Sequence, residues 1–227
     1  MTPAFHFAPE VAARGVIGRY SALLGIDQSA ADVNGIADFV DQVVTAARNR
    51  ISREAIGADP ILAGFRALHQ AFAVPTRKLF SAPETLFRYV EKRGDIPRIG
   101  PLIDLYNAIS LETSLALGAH DLARIEGDIS LRLTTGTERF HPVGAIEPEP
   151  IRAGEYAYVD DGGEVICRLE VRQVEKTKIT PSTRDVFLIV QGNPATSTSL
   201  VEAGHDRLIT VLRRFLGGTP VPLISGP

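Results

Sequence analysis

The stretch PLIDLYNAISLETSLALGAHDLARIEGDISLRL, residues 101–133, changes its hydrophobic period partway along and so decides the fold class. Its first part repeats apolar residues three or four positions apart, which predicts a helix over 101–116. The apolar positions of that helix are Leu102, Leu105, Ile109 and Leu111. Its last part, DISLRL (128–133), alternates apolar and polar residues, which predicts a strand. A helix that leads into a strand indicates a mixed α and β chain.

Helices dominate the sequence on the N-terminal side of this stretch. The pattern predicts two short strands within residues 4–26 and helices over 36–51, 60–72 and 83–92. Asp59 and Pro60 suit the N-cap and first position of the second of these helices. Ser81 and Glu84 have the spacing of a capping box for the third.

Strand patterns dominate the C-terminal side. Residues 154–171 predict a hairpin whose turn is Asp160-Asp161-Gly162-Gly163, since Gly and Asp tolerate positive φ. In its second strand Cys167 and Leu169 face one side, whereas Glu170 faces the other with charged neighbours. The run at 186–190 predicts a buried strand, 198–216 a closing helix and 217–227 an irregular tail. The whole layout predicts an α+β fold.

Composition and charge bound the class of protein. The 227 residues suit a single domain spanning 1–227, with 44% apolar and 22% charged residues. A net charge of −3 argues against a general polyanion binder. The single cysteine, Cys167, and an N-terminus unlike a signal peptide indicate a cytoplasmic protein, and no apolar run is long enough for a membrane helix.

Common catalytic motifs are absent from the sequence. It has no Walker loop, no G-x-G-x-x-G after a strand, no G-x-S-x-G, no C-x-x-C and no histidine pair at metal-ligand spacing. We therefore predict neither a metal nor a cofactor. Cys167 could be a nucleophile, but strand alternation favours a core thiol. His120 beside Asp121 is either an oriented imidazole or a capping residue.

One segment is locally basic although the chain is acidic. Residues 168–184 contain five basic side chains against two carboxylates, Glu170 and Glu175. Two interpretations stay open for this segment. Such a patch could bind phosphate, or it could be a solvated strand face on which charges pair across strands.

Two blocks of this sequence are similar to the editing module formed by the B3 and B4 domains of the phenylalanyl-tRNA synthetase beta subunit. The first block, 96–133, shares Pro101, Asp104, Asn107, Leu111, Glu112, Thr113, Ala119, Asp121 and Ile125 with that family. The second, 156–190, shares Asp160, Asp161, Thr180, Thr183, Asp185, Val186 and Leu188.

The resemblance implies the fold of that editing domain, a mixed sheet with flanking helices. It covers a core over 55–192, which leaves 1–54 as an N-terminal addition and 193–227 as a C-terminal helix and tail. The chain shows no ATP-binding synthetase core, so the resemblance implies a freestanding editing module.

In the family, this module hydrolyses tyrosine mischarged on phenylalanine tRNA, and a glutamate reads the phenolic hydroxyl. Glu175 matches that glutamate by position. The chain departs from the family at the two preceding glycines, which are Gln173 and Val174 here, and at a family histidine, which is Gly118 here. An ion pair with Lys178 or Arg172 is the alternative interpretation of Glu175.

The expected function is hydrolysis, in trans, of the ester of a mischarged aromatic or similar aminoacyl-tRNA, which would make the protein an aminoacyl-tRNA deacylase. The alternative is a non-catalytic module that binds RNA or an amino acid. The expected partner is a tRNA 3′ end, in a cleft between 101–121 and 165–190. The sequence assigns no catalytic residue. The residues predicted to bind substrate are Glu175, Asn107, His120 and Thr177, and those predicted to bind RNA are Arg172, Lys176, Lys178 and Arg184.

Overall fold

The structure is a computed structural model that describes residues 2–74 and 79–223. The helices are α1 (Pro9–Ala12), α2 (Val33–Arg48), α3 (Arg53–Ala58), α4 (Pro60–Ala71), α5 (Ala82–Arg93), α6 (Pro101–Thr113) and α7 (Thr198–Leu216). The strands are β1 (Phe5–Phe7), β2 (Ile17–Leu24), β3 (Ala116–Asp121), β4 (Ile129–Leu133), β5 (Tyr156–Asp160), β6 (Val165–Arg168), β7 (Arg172–Gln173), β8 (Val186–Gly192) and β9 (Thr219–Pro222).

The strands form two sheets. The first has the order β1-β4-β5-β6-β7 and is mixed, because β1 pairs with β4 in parallel and the other pairs are antiparallel. The second has the order β3-β8-β2-β9 and is antiparallel. With the flanking helices, this arrangement confirms the α+β prediction. Two strands of the predicted N-terminal addition, β1 and β2, lie within these sheets.

The apolar run of β8 separates two hydrophobic cores. Val186, Leu188 and Val190 pack into a core shared with α2, α5, α6 and α7. Phe187 and Ile189 point the other way, into a core between the two sheets that also receives side chains from α4. Because both faces of β8 are covered, every residue of the strand is buried. The predicted buried strand is therefore confirmed, and the molecule is layered as helices, second sheet and first sheet.

The α6–β3 junction comes earlier in the chain than the sequence predicted. The helix ends at Thr113 rather than 116, and Ser114 adopts a left-handed conformation with φ of 61°. The Ser110 hydroxyl donates to the Leu115 carbonyl at 2.6 Å, which closes the helix end. β3 then begins at Ala116, within the segment that the helix pattern had included.

The predicted capping box at α5 is half formed. The Ser81 hydroxyl accepts a hydrogen bond from the Glu84 backbone N–H at 3.4 Å, as predicted. The Glu84 carboxylate does not return to the cap. It is fully buried and accepts hydrogen bonds from Arg66 on α4 at 2.8 Å and from Arg88 on α5 at 2.7 Å. Glu84 thus joins two helices.

The second strand of the β5–β6 hairpin is shorter than predicted. The turn at Asp160–Gly163 forms as expected, but β6 ends at Arg168. Leu169 has φ of 54°, a left-handed conformation that interrupts the strand. Glu170 is consequently buried rather than on the charged face that alternation predicted.

The C-terminal tail contains an element that the sequence did not predict. Residues Thr219–Pro222 form β9, which pairs antiparallel with β2 at the edge of the second sheet. Edge strands accommodate proline, since one side needs no backbone donor. Residues 224–227 of the predicted irregular tail lie outside the described part of the chain.

Candidate functional site

A pocket with a volume of about 160 Å³ lies among α6, β3 and the end of the β6–β7 hairpin. These elements belong to different layers, so the pocket occupies the place where the edges of the two sheets approach each other. The cleft predicted between 101–121 and 165–190 is therefore present. Its size suits a small organic group rather than a single water molecule.

The pocket wall is largely apolar with a few polar groups. The apolar and thiol part is formed by Ala116, Leu117, Cys167, Val171 and Ile189. The polar part is formed by Tyr106, Asn107, Tyr158, Glu170 and Gln173. Apolar walls with a few convergent polar groups are typical of sites for small ligands.

Gly118 provides the space that the Gln173 side chain occupies. Both residues line the pocket, one on β3 and the other on β7. A Cβ atom at Gly118 would lie 3.3 Å from the Gln173 side-chain nitrogen, Nε2. A larger residue at position 118 would therefore displace the Gln173 amide. Gly118 and Gln173 are two of the positions at which the chain departs from the family that it resembles.

Glu170 is the only carboxylate of the pocket wall among the described residues, and it belongs to a buried hydrogen-bond network. Its Oε1 atom lies 2.6 Å from His69 Nε2 on α4, and its Oε2 atom accepts a hydrogen bond from the Tyr156 hydroxyl. The Tyr156 hydroxyl accepts from Gln191 Nε2 at 3.0 Å, and Gln191 Oε1 accepts from Tyr158 at 2.6 Å. The hydrogen bonds from His69 and Tyr156 hold the carboxylate in one position.

The electrostatics of this network follow from burial. Burial lowers the pKa of His69, but the adjacent Glu170 carboxylate and the charges of Glu84 and Glu155 together outweigh burial, so the pKa lies above its ordinary value. Burial also raises the pKa of Tyr156 well above its ordinary value, and the charge of Glu170 adds to that rise. The Tyr156 hydroxyl therefore stays a neutral donor. Glu170 thus lies between His69, whose pKa its carboxylate raises, and a neutral tyrosine donor.

Asn107 is the one residue predicted to bind substrate that lines the pocket. It lies on α6, beside the buried Tyr106. Burial raises the pKa of Tyr106, so this phenol is also neutral. Asn107 and Gln173 place two side-chain amides in one pocket, and an amide can both donate and accept hydrogen bonds.

His120 and Thr177 contact each other but lie beneath the surface. Both are fully buried, and His120 Nδ1 lies 2.9 Å from Thr177 Oγ1. Burial lowers the pKa of His120 to about 3, so the ring is neutral at physiological pH. The Asp121 N–H also donates to the Thr177 carbonyl at 2.9 Å. The pair connects the segment after β7 to β3, and their predicted contact with a ligand stays a prediction.

Glu175 lies outside the pocket wall. Its carboxylate pairs with Lys178, and its side chain is 37% exposed. The hydrogen bond from Lys178 lowers the pKa of Glu175. Of the two interpretations of Glu175, this placement favours the ion pair. The structure provides Glu170 as the pocket carboxylate instead, because Leu169 turns that residue inward.

Each basic residue of the 168–184 segment pairs with a carboxylate. The Glu155 carboxylate accepts from Arg168 at 2.6 Å. The four residues predicted to bind RNA pair as Arg172–Glu149 at 2.8 Å, Lys176–Glu126 at 2.7 Å, Lys178–Glu175, and Arg184–Asp27 at 2.6 Å. This arrangement matches the solvated, charge-paired face that was one of the two interpretations. Among the four residues predicted to bind RNA, Arg172 lies closest to the pocket in sequence, between pocket residues Val171 and Gln173.

Cys167 has the environment of a core thiol. It is 6% exposed, and burial raises the pKa of the thiol well above its ordinary value. A thiol that stays protonated is a poor nucleophile. The favoured interpretation of Cys167 as a core residue is therefore confirmed, although the residue also contributes to the pocket wall.

The described residues, 2–74 and 79–223, contain neither a group of metal ligands nor a membrane-spanning helix. No group of three or more His, Cys, Asp or Glu side chains is close enough to hold a metal ion. Within the same residues, no helix is both long enough and apolar enough to cross a membrane.

The fold is similar to that of a known solved structure. An N-terminal fragment of the phenylalanyl-tRNA synthetase beta-subunit from Pyrococcus horikoshii superposes with a TM-score of 0.55 and 14% sequence identity. The superposition covers 96% of this chain and 50% of the fragment, so the chain spans about half the length of that fragment. At this identity the similarity establishes the fold alone. No curated protein sequence matches the chain.

A family model connects the sequence itself to one group of proteins. The model described as the B3/4 domain matches residues 71–213. The matched segment contains α6, β3 and the β6–β7 hairpin, which are the elements that form the pocket. Because the match spans more than half of the chain, the protein belongs to the B3/4 domain family.

Proposed function

We propose that the protein hydrolyses the ester bond of a mischarged aminoacyl-tRNA in trans and that the aminoacyl group occupies the pocket. The observation that carries this proposal is the pocket itself, which combines apolar walls with Asn107, Glu170 and Gln173. Membership of the B3/4 domain family and the fold shared with a fragment of a tRNA synthetase support it.

The chemistry requires few groups. An aminoacyl ester is already activated, so hydrolysis needs a positioned water and donors for the negative charge that develops on the ester oxygen. The amide groups of Asn107 and Gln173 line the pocket and can supply such donors. The tRNA 3′ end would lie outside the pocket, where the exposed ion pair of Arg172 and Glu149 could exchange Glu149 for a phosphate.

A deacylation screen tests the proposal. The protein is mixed with correctly and wrongly charged tRNAs, and release of the amino acid is followed. We expect release from one class of mischarged tRNA, and a loss of about 10²–10³-fold in rate for Asn107→Ala, since that is the usual effect of removing one oxyanion donor. Asn34→Ala, which alters an exposed amide on α2, is the matched control.

The predicted role of Glu175 is tested in the same screen. Glu175 pairs with Lys178 outside the pocket wall, so we expect Glu175→Gln to retain deacylation. A loss of activity in this variant would instead support the ligand contact that the sequence predicted for Glu175. Failure to release any amino acid from any tRNA would contradict the proposal.

One observation favours a second candidate, a binding module without chemistry. Both Glu170 oxygens already accept hydrogen bonds, from His69 and Tyr156, so the carboxylate is better arranged to recognise a ligand than to activate water. In this case charged tRNA or an amino acid derivative would bind without release of the amino acid.

A further inference from the structure

The charges around the pocket favour one ionisation state of its ligand. Glu170 lines the pocket, and its side chain is only 2% exposed. His69, its hydrogen-bond partner on α4, does not line the pocket. Among the described residues of the wall, none is basic. Glu170 therefore carries the one charged side chain of the described wall.

Glu170 also retains capacity to bind a donor. An ionised carboxylate has about four lone-pair positions. His69 and Tyr156 each occupy one oxygen, at 2.6 Å in the case of His69. The remaining positions can accept hydrogen bonds from a cation. A buried carboxylate forms its strongest hydrogen bonds with charged donors, since the low local polarity strengthens the attraction.

Burial and the Glu170 carboxylate also disfavour a negatively charged group on the ligand. Burial raises the pKa of the Cys167 thiol in the pocket wall, and the Glu170 carboxylate raises it further. A ligand carboxylate placed in this pocket would experience the same two effects, without a basic partner in the described wall. A free amino acid carries such a carboxylate, whereas an aminoacyl ester does not.

We propose that the pocket selects amino acids in their ester form, with Glu170 binding the free α-ammonium group, and that it rejects free amino acids. The inference rests on the proposed function, for which it names the feature of the substrate that is recognised.

The selectivity has a consequence for turnover. In hydrolysis, water adds to the ester carbonyl carbon, the bond from that carbon to the ribose oxygen breaks, the ribose oxygen takes up a proton, and the acid product releases a proton. The cationic ligand therefore becomes a zwitterion with a new carboxylate near Glu170. Repulsion between the two carboxylates favours release of the product.

Amino-acid amides are suitable probes because they keep the ammonium group, lack the carboxylate and resist hydrolysis. The twenty amides would be titrated into the full chain by calorimetry, each beside its free amino acid and its N-acetyl amide. For at least one side chain, we expect the amide to bind about 10-fold or more tightly than either counterpart, as loss of one charged hydrogen bond would give. Equal binding of the free amino acid or the N-acetyl amide, or no binding of any amide, would overturn the inference.

Two variants assign the selectivity to Glu170. We expect Glu170→Gln to bring the amide and the N-acetyl amide to within about 3-fold of each other, which is less than the loss of a charged hydrogen bond. Glu175→Gln, outside the pocket wall, should leave the preference unchanged. Retained selectivity in a folded Glu170→Gln protein would overturn the assignment. If Glu170→Gln does not fold, the three titrations of the unaltered protein still decide the inference.

The outcomes separate this inference from the proposed function. Amide selectivity without deacylation would leave the inference standing for a binding module. Deacylation that proceeds equally on aminoacyl-tRNA and N-acetyl-aminoacyl-tRNA would overturn the inference and leave the hydrolase in place.

Discussion

Glu170 lies in the pocket because of the backbone conformation of the residue before it. Leu169 is fully buried with φ of 54°, a conformation that is costly for a bulky side chain. Its N–H donates to the Tyr156 carbonyl at 3.1 Å, which holds the turn. A single left-handed residue shifts the alternation by one position, so a charge that belongs to the exposed face becomes buried. Strand alternation alone cannot predict this shift.

The contact between Gly118 and Gln173 predicts an effect on binding without a large effect on stability. Alanine at 118 would place a methyl group 3.3 Å from the end of the Gln173 side chain, which can move. We expect Gly118→Ala to change the free energy of unfolding by less than about 1 kcal/mol, because the backbone there accepts a side chain. The displaced amide should weaken binding of the best amino-acid amide.

A double-mutant cycle checks this explanation. In a Gln173→Ala background, Gly118→Ala should have no further effect on amide binding, since the displaced group is gone. Additive losses in the double variant would show that Gly118 acts on the ligand by another route.

His120 predicts a pH dependence of stability. Its pKa is about 3 in the folded protein, whereas an unfolded histidine titrates near 6.5. Between these two pH values the unfolded chain binds more protons than the folded protein. The stability that a neutral, buried His120 contributes is therefore fully present above about pH 6.5 and declines as the pH falls. The decline is on the order of 1.4 kcal/mol per pH unit. Between pH 6.5 and 5, we expect the free energy of unfolding of the unaltered protein to fall by roughly 2 kcal/mol more than that of the His120→Phe variant, as measured by urea unfolding. Parallel losses would contradict a buried neutral His120.

At the scale of elements, helical periods predict most helices and their caps. The Asp59 carboxylate accepts from the Ile61 and Leu62 N–H groups at 2.8 and 2.9 Å, as its position before Pro60 predicts. The end of α6 was predicted too late because Leu115 continues the apolar pattern beyond the helix. Apolar residues serve both a buried helix and a buried strand, so periodicity cannot separate the two at such a junction.

Glu84 predicts that α4 and α5 depend on one buried carboxylate. The residue is 0% exposed, and Arg66 and Arg88 pair with it. We expect Glu84→Gln to lower the free energy of unfolding by about 2–3 kcal/mol, at or below the lower limit for breaking a fully buried pair, because both arginines are partly exposed. The matched control is Glu202→Gln, which removes an exposed partner of Arg19 and should cost less than about 1 kcal/mol. Similar losses in the two variants would contradict a special role for Glu84.

At the scale of the whole molecule, the resemblance to the editing module predicted the fold, and the fold brings distant segments to one pocket. The pocket residues Asn107, Gly118 and Gln173 come from two blocks of sequence. The network behind Glu170 was not predictable, because His69 is 101 residues away in sequence and no local pattern connects the two. The ion pairs of Arg172, Lys176 and Arg184 were equally invisible, since their carboxylates lie on other parts of the chain. The Glu175–Lys178 pair, three residues apart, is the one that the sequence had offered as an alternative.

Complete pairing of the basic segment predicts weak dependence of tRNA binding on salt. A chain with a net charge of −3, whose five basic residues in this segment are all paired, can neutralise few phosphates. We expect the plot of log affinity against log salt concentration to have a slope of magnitude about 1–3, since each single-strand phosphate contact adds about 0.7.

Variants identify the residue that contributes to this slope. Arg172→Ala should lower affinity and reduce the slope by about 0.7, because Arg172 adjoins the pocket. Arg53→Ala, which alters an exposed arginine on α3, should change neither. A slope of magnitude above about 5, or equal effects of the two variants, would show that tRNA binds by a broad basic surface instead.

The position of a bound aminoacyl group is the most direct test of whether the pocket holds this part of the substrate. We would determine a crystal structure with an aminoacyl-adenosine analogue in which a stable amide replaces the ester. We expect the amino-acid part to lie between α6 and the β6–β7 turn, with its ammonium group on Glu170 and with Asn107 and Gln173 near the amide carbonyl. An analogue bound beside Glu175 and Lys178, with the pocket empty, would contradict this placement.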